Sequence, residues 1–97
     1  MSVLYTLSHS PYACDLLSLL RIAWPGDDLL LLSDGVIAGL RGSPAEGALI
    51  SSPLALHALE NDIVARGLTM HFSPNIGIIS YNDFVSLTEK QSQQMAW

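Results

Sequence analysis

The chain is short of positive charge. Among 97 residues only Arg21, Arg41, Arg66 and Lys90 are basic, against nine Asp and Glu, for a formal net charge of −5. A protein that grips nucleic acid directly needs Lys and Arg to displace counterions from phosphates, and four scattered cations do not make a basic stripe. Direct nucleic-acid binding is therefore not expected, and any nucleic acid in the pathway should be held by another subunit. Cysteine is almost absent as well. Cys14 stands alone, so no internal disulfide can form, which points to a reducing, cytoplasmic setting. The opening residues MSVLYTLSHS lack the basic start and long apolar stretch of a signal peptide. The longest apolar runs, such as residues 29–32, fall far short of the ~20 residues that span a bilayer, so no membrane association is expected. Also missing are G-x-G-x-x-G and Walker loops, a G-x-S-x-G elbow, and C-x-x-C or H-x-x-x-H spacings. Neither a nucleotide cofactor, nor a metal, nor serine catalysis is expected.

What the chain does have is apolar residues. They make up 49% of the sequence, while charged residues make up only 13%; soluble domains usually carry about 25% charged. A small domain has much surface to cover, so this one is expected to leave apolar area exposed, the mark of an interaction site. A parallel sheet covered on both faces is the other source of such a composition.

Four short apolar runs alternate with helix-like stretches. Residues 2–7 (SVLYTL) read as the first strand. Ser10 as N-cap and Pro11 at the first helical position then predict a helix start, with Ala13, Leu16, Leu17 and Leu20 as its apolar stripe. Pro25-Gly26-Asp27 ends that unit. Residues 29–32 read as a buried central strand, and Val36, Ile37 and Leu40 as a short helix. Ser43-Pro44-Ala45-Glu46 carries the Ser-x-x-Glu capping signature of another. Residues 54–59 read as the third strand, residues 61–66 as a short helix closed by Gly67, and residues 76–79 as the fourth strand. Tyr81, Phe84, Leu87 and Thr88 share one face of a last helix. The tail QSQQMAW is assigned no element. The order predicts one α/β domain over residues 1–97, a three-layer α/β/α arrangement around a mostly parallel sheet.

In such sheets function gathers at the carboxyl ends of the strands. Those ends supply Ser8, His9 and Ser10, then Ser33, Asp34 and Gly35, then Glu60 and Asn61, then Ser80 and Tyr81. Cys14, placed one turn into the predicted first helix, is the one candidate for a reactive thiol, because a helix N-terminus stabilises a thiolate. The bland reading makes it a half-buried small hydrophobe beside Asp15. His9 could act as a base near it, although five residues across a helix start do not oblige the two to touch. His57 reads as a structural strand residue. Asp34-Gly35 reads either as a ligand-binding turn or as a strand-to-helix turn with Asp34 as a cap. Trp97 ends a polar tail and is costly to leave in water, so it is expected to dock, on its own domain or on a partner.

In sequence order, L-S-H-S-P (residues 7–11), D-x-L-L-L-L-x-D-G ending at Gly35, A-L-x-x-D-I-x-A-R-G-L (residues 58–68), Y-x-D-F-V-x-L-T (residues 81–88) and a closing Q-M-A-W span nearly the whole chain. This set resembles the DsrH-like family of sulfur-relay subunits. The resemblance implies a DsrE-like α/β/α fold and a heterohexamer, built as two heterotrimers, with TusC-like and TusD-like subunits. It implies that persulfide sulfur arrives from a TusA-like carrier, passes to a cysteine of the TusD-like subunit and then to a TusE-like protein, for 2-thiolation of the wobble uridine of tRNA. On this reading the chain has no catalytic activity alone, and His9, Asp34, Gly35 and Trp97 are interface candidates. The alternative is a sulfur carrier that uses a Cys14 persulfide. Some DsrH-type proteins of sulfur-oxidising bacteria carry a cysteine near the end of the first helix. This chain has Ser18-Leu19-Leu20-Arg21 there, so that role does not transfer to Cys14.

Overall fold

A computed structural model describes residues 2–97. Along the chain run β1 (Val3–Leu7), α1 (Leu16–Ile22), β2 (Asp28–Leu31), a 3-10 segment (Ser33–Gly39), α2 (Pro44–Ile50) and β3 (Ala55–Leu59). Then come α3 (Glu60–Ala65), a 3-10 turn (Thr69–His71), β4 (Gly77–Ile79), α4 (Tyr81–Lys90) and β5 (Gln93–Ala96). The strands form one sheet of order β4-β3-β2-β1-β5, and every pairing is parallel. The α/β sheet expected from the sequence is present, with a fifth strand that the tail gave no sign of.

The strand order fixes where the helices lie. From β1 to β4 the chain steps in one direction across the sheet. It then reverses over α4 to place β5 beyond β1. Right-handed crossovers put helices on opposite faces when the direction reverses. The packing agrees. Tyr5, Leu7, Leu29, Leu31 and Ala58 share a large core with Leu16 and Leu19 of α1, Leu49 of α2 and Ile63 of α3. On the other face Leu4 and Leu30 meet Leu87 of α4, with Phe84 and Ile79 alongside. β2 is buried along its whole length, as its unbroken Leu run predicts for a central parallel strand. At the opposite extreme, β5 is exposed throughout.

Local chemistry sets the element ends. Ser43 Oγ accepts the Glu46 N–H at 3.2 Å, as the capping signature requires, while the Glu46 carboxylate reaches one residue further back, to Gly42 N–H at 2.7 Å. Ser80 and Asp83 form a reciprocal capping box at the start of α4. Gly67 closes α3 with φ +66°. The first helix departs from expectation. Ser10 Oγ takes only the Tyr12 N–H, and residues 11–14 form turns. The helix starts at Leu16, capped by Asp15, whose carboxylate accepts both the main-chain N–H and the hydroxyl of Ser18, at 3.1 and 2.6 Å. A charged cap with two donors outcompetes a serine followed by a single turn. The buried stripe accordingly shifts to Leu16, Leu19 and Leu20, while Leu17 and Ala13 face outward.

Candidate functional site

The carboxyl edge of the sheet gathers the sequence-predicted residues into two separate groups. One surrounds the end of β1. Its neighbour β5 delivers Trp97, whose N–H donates to Thr6 O at 2.7 Å. Trp97 O in turn accepts from Ser8 N–H at 3.3 Å and faces His9 Nδ1 at 3.3 Å. The indole Nε1–H donates to Asp15 O at 3.0 Å, and the ring packs half-buried against the large core. Of the two docking modes expected for Trp97, the structure has the one onto its own chain. His9 and Trp97 are thus brought together; Cys14, five residues after His9, precedes α1 rather than sitting inside it.

Cys14 is partly buried and packs on the core. Burial pushes its thiol up from the ordinary value, and the neighbouring Asp15 carboxylate pushes it further. Cys14 also lies outside α1, which starts at Leu16, so the expected placement one turn into a helix is not met. The thiol lines a groove of about 340 Å³ between residues 11–17 and α2, with Pro11, Tyr12 and Leu17 on one side and Pro44, Ala45 and Ala48 on the other.

The second group surrounds the end of β2. Ser33 holds a left-handed backbone, φ +49°, and its N–H donates to Asp62 Oδ2 at 2.7 Å. Asp34 is exposed and accepts from Arg66 Nε and Nη2 at 3.2 and 3.1 Å. It does not cap a helix. Gly35 is buried, and a Cβ there would lie 1.9 Å from Leu7 O, so only glycine lets the 3-10 segment pass the end of β1. The sequence reading missed Asp62 and Arg66 as partners of this turn. Their i, i+4 spacing on a short helix, Asp first, was the available signal.

On the other face, a buried carboxylate escaped the sequence reading altogether. Asp28 Oδ1 lies 2.9 Å from His57 Nε2, and Oδ2 accepts from Lys90 Nζ at 3.3 Å and closely from the Gln91 amide. Burial pushes the Asp28 carboxyl up, but the hydrogen bonds from His57, Gln91 and Lys90, with the Lys90 charge, outweigh it and hold the group below its ordinary range. His57 is a strand residue, as expected, and also joins β3 to β2 through this carboxylate. Its partners are 29, 62 and 63 residues from Asp28, and no spacing rule signals such contacts.

Apolar side chains are left in solvent. Tyr12 is 84% exposed, Met70 83% and Trp24 73%, with Leu17, Val64 and Tyr81 also largely open. This fulfils the expectation drawn from the scarcity of charge. Among the described residues, no helix is long and apolar enough to cross a membrane.

Known proteins place this geometry. The profile of the family described as "DsrH like protein" matches residues 9–94. The chain belongs to the DsrH-like family. It is 80% identical over 95 residues to "Protein TusB" of Sodalis glossinidius (strain morsitans), covering 98% of this chain and 100% of that protein. It is 58% identical to "Protein TusB" of Serratia proteamaculans (strain 568), with the same coverage of both chains. In fold this DsrH-like chain is similar to the crystal structure of the ychN protein from E. coli, with TM-score 0.77, 20% identity and full coverage of both chains. It is also similar to the solution structure of protein Tm0979 from Thermotoga maritima, with TM-score 0.71, 22% identity, and 92% and 93% coverage of the two chains.

Proposed function

We propose that the chain is a non-catalytic structural subunit of a sulfur-relay complex in the cytoplasm. The observation that carries this reading is the 80% identity, over essentially all of both chains, to a relative called Protein TusB. The partners are TusC-like and TusD-like subunits, assembled as a heterohexamer, which receives sulfur from a TusA-like protein and passes it to a TusE-like one. The product of the relay is the 2-thiolated wobble uridine of tRNA. In this proposal residues 1–97 fold as a single domain, a reading that the one continuous sheet supports.

Two further observations support a scaffolding role. Relay chemistry is attack by a thiolate on a persulfide, akin to thiol–disulfide exchange, and its rate depends on the thiolate fraction. Burial and Asp15 both push the chain's one thiol towards its protonated form. The exposed Tyr12, Trp24 and Met70 supply the kind of apolar and aromatic surface that stable subunit contacts bury. Within this reading, His9, Asp34 and Trp97 contribute to interfaces at the carboxyl edge. Gly35 contributes by shaping that edge, since it is buried in its own chain.

Coexpression with TusC-like and TusD-like subunits, followed by light scattering on the purified material, tests the assembly. A single species containing all three chains is expected. A monodisperse monomer that elutes apart from those subunits would overturn the proposal.

A further inference from the structure

Residues 8–15 form a segment between β1 and α1 with no regular secondary structure beyond turns. Inside it, Ser10 Oγ accepts from Tyr12 N–H at 3.2 Å and Ser10 O accepts from Ala13 N–H at 2.9 Å. Both ends of the segment are tied to the same distant residue. At its start Ser8 N–H donates to Trp97 O, at 3.3 Å. At its end the Trp97 indole N–H donates to Asp15 O, at 3.0 Å. Compact surface loops of this size are closed by contact between their ends, and here Trp97 is that contact.

We propose that Trp97 is a latch: it clasps the segment 8–15 shut, and with it governs access to the Cys14 thiol and to the apolar groove. The groove makes this consequential. One of its walls is the latched segment, through Pro11, Tyr12 and Cys14, and the other is α2, through Pro44, Ala45 and Ala48. Trp97 itself follows β5, an edge strand exposed along its length and held to the sheet on one side only, by β1. An edge strand of this kind is among the least costly elements to displace. Displacing the end of β5 removes both clasps at once and frees one groove wall while the other, on α2, stays anchored to the core by Leu49. Asp15 is the hinge, because its carboxylate still caps α1 through Ser18 when its carbonyl loses the indole. The latch stands whether or not Cys14 ever carries sulfur.

The test measures the rate at which Cys14 of the full chain reacts with 5,5′-dithiobis(2-nitrobenzoate). In that reaction the Cys14 thiolate attacks the reagent's disulfide, forms a mixed disulfide and releases one coloured arylthiolate. Trp97→Phe keeps a ring but lacks the indole donor, and losing one hydrogen bond of ordinary strength should speed labelling about threefold to tenfold. Trp97→Ala removes the packing too and should exceed the phenylalanine variant. Amide hydrogen exchange on the same variants should accelerate in residues 9–15 and stay unchanged in β2. Rates within twofold of the parent for Trp97→Phe, with exchange in 9–15 unchanged, would overturn the latch. Should Trp97→Ala fail to fold, the phenylalanine variant still decides. Equal acceleration of exchange in β2 and in 9–15 would also overturn it, because it would mean global unfolding rather than release of one segment.

Discussion

Asp28 ties β2 to β3 and to the end of α4 on one face of the sheet. It sits at the start of the central strand, out of water, and is shared by a histidine of β3 and by Lys90 and Gln91 at the end of α4. Its folded carboxyl is held below the value it has in the unfolded chain, about 3.9. Such a group contributes stability that is fully present above the unfolded value and is lost as pH falls through the folded one. Urea unfolding between pH 3 and 7 should therefore show an acid-side decline that Asp28→Asn makes shallower, the remainder coming from Asp15 and Glu46, which are also held low. At pH 7 the same variant should be less stable by about 2 kcal/mol, since one of the two acceptor oxygens that serve His57, Lys90 and Gln91 is replaced by a donor and the negative charge beside Lys90 is lost. Gly35 makes a sharper case. A methyl group there would overlap the Leu7 carbonyl oxygen, a backbone atom with little freedom to retreat. Gly35→Ala should cost roughly 3 kcal/mol, at the upper end for overpacking. A thermal melt indistinguishable from the parent's would show that this close approach is not maintained.

At the level of elements, the parts of the fold that follow from neighbouring residues were legible in the sequence. The Leu run of β2, the Ser43 cap of α2, Gly67 after α3 and the apolar face of α4 are all local signals, and each lies where it was expected. The misreadings share one cause. β5 is four exposed residues, two polar and two apolar, and exists because β1 offers it an open edge 90 residues earlier; nothing in Gln-Gln-Met-Ala announces a strand. The start of α1 moved because Asp15 is fixed by Ser18 and also by Trp97, 82 residues away. The candidate site was legible only in part for the same reason. His9 and Asp34 were placed at the carboxyl edge from the strand ends, but their pairing with Trp97 and Arg66 comes from the order of the strands. Capping can be checked directly. Ser80→Ala removes the cap of α4, which covers the second face of the sheet, and should lower stability by about 1 kcal/mol, read as a shift in the urea midpoint with an unchanged slope. The Asp34–Arg66 pair is largely solvated, with the Asp34 side chain 65% exposed. Asp34→Asn should leave stability within about 0.5 kcal/mol of the parent. A larger effect of that variant on complex formation than on stability would mark the carboxyl edge of β2 as an interface.

For the whole molecule, scarce charge, open aromatic side chains and a partly buried thiol support the proposed account: a chain that contributes surface to an assembly and leaves sulfur transfer to a partner. The measurement that bears on it most directly is the 2-thiouridine content of tRNA in cells that lack this chain, complemented with the parent or with Cys14→Ser. The account predicts little 2-thiouridine without the chain and full restoration by both versions. Loss of thiolation with Cys14→Ser, in a protein that still copurifies with the proposed TusC-like and TusD-like partners, would contradict it and make Cys14 a carrier.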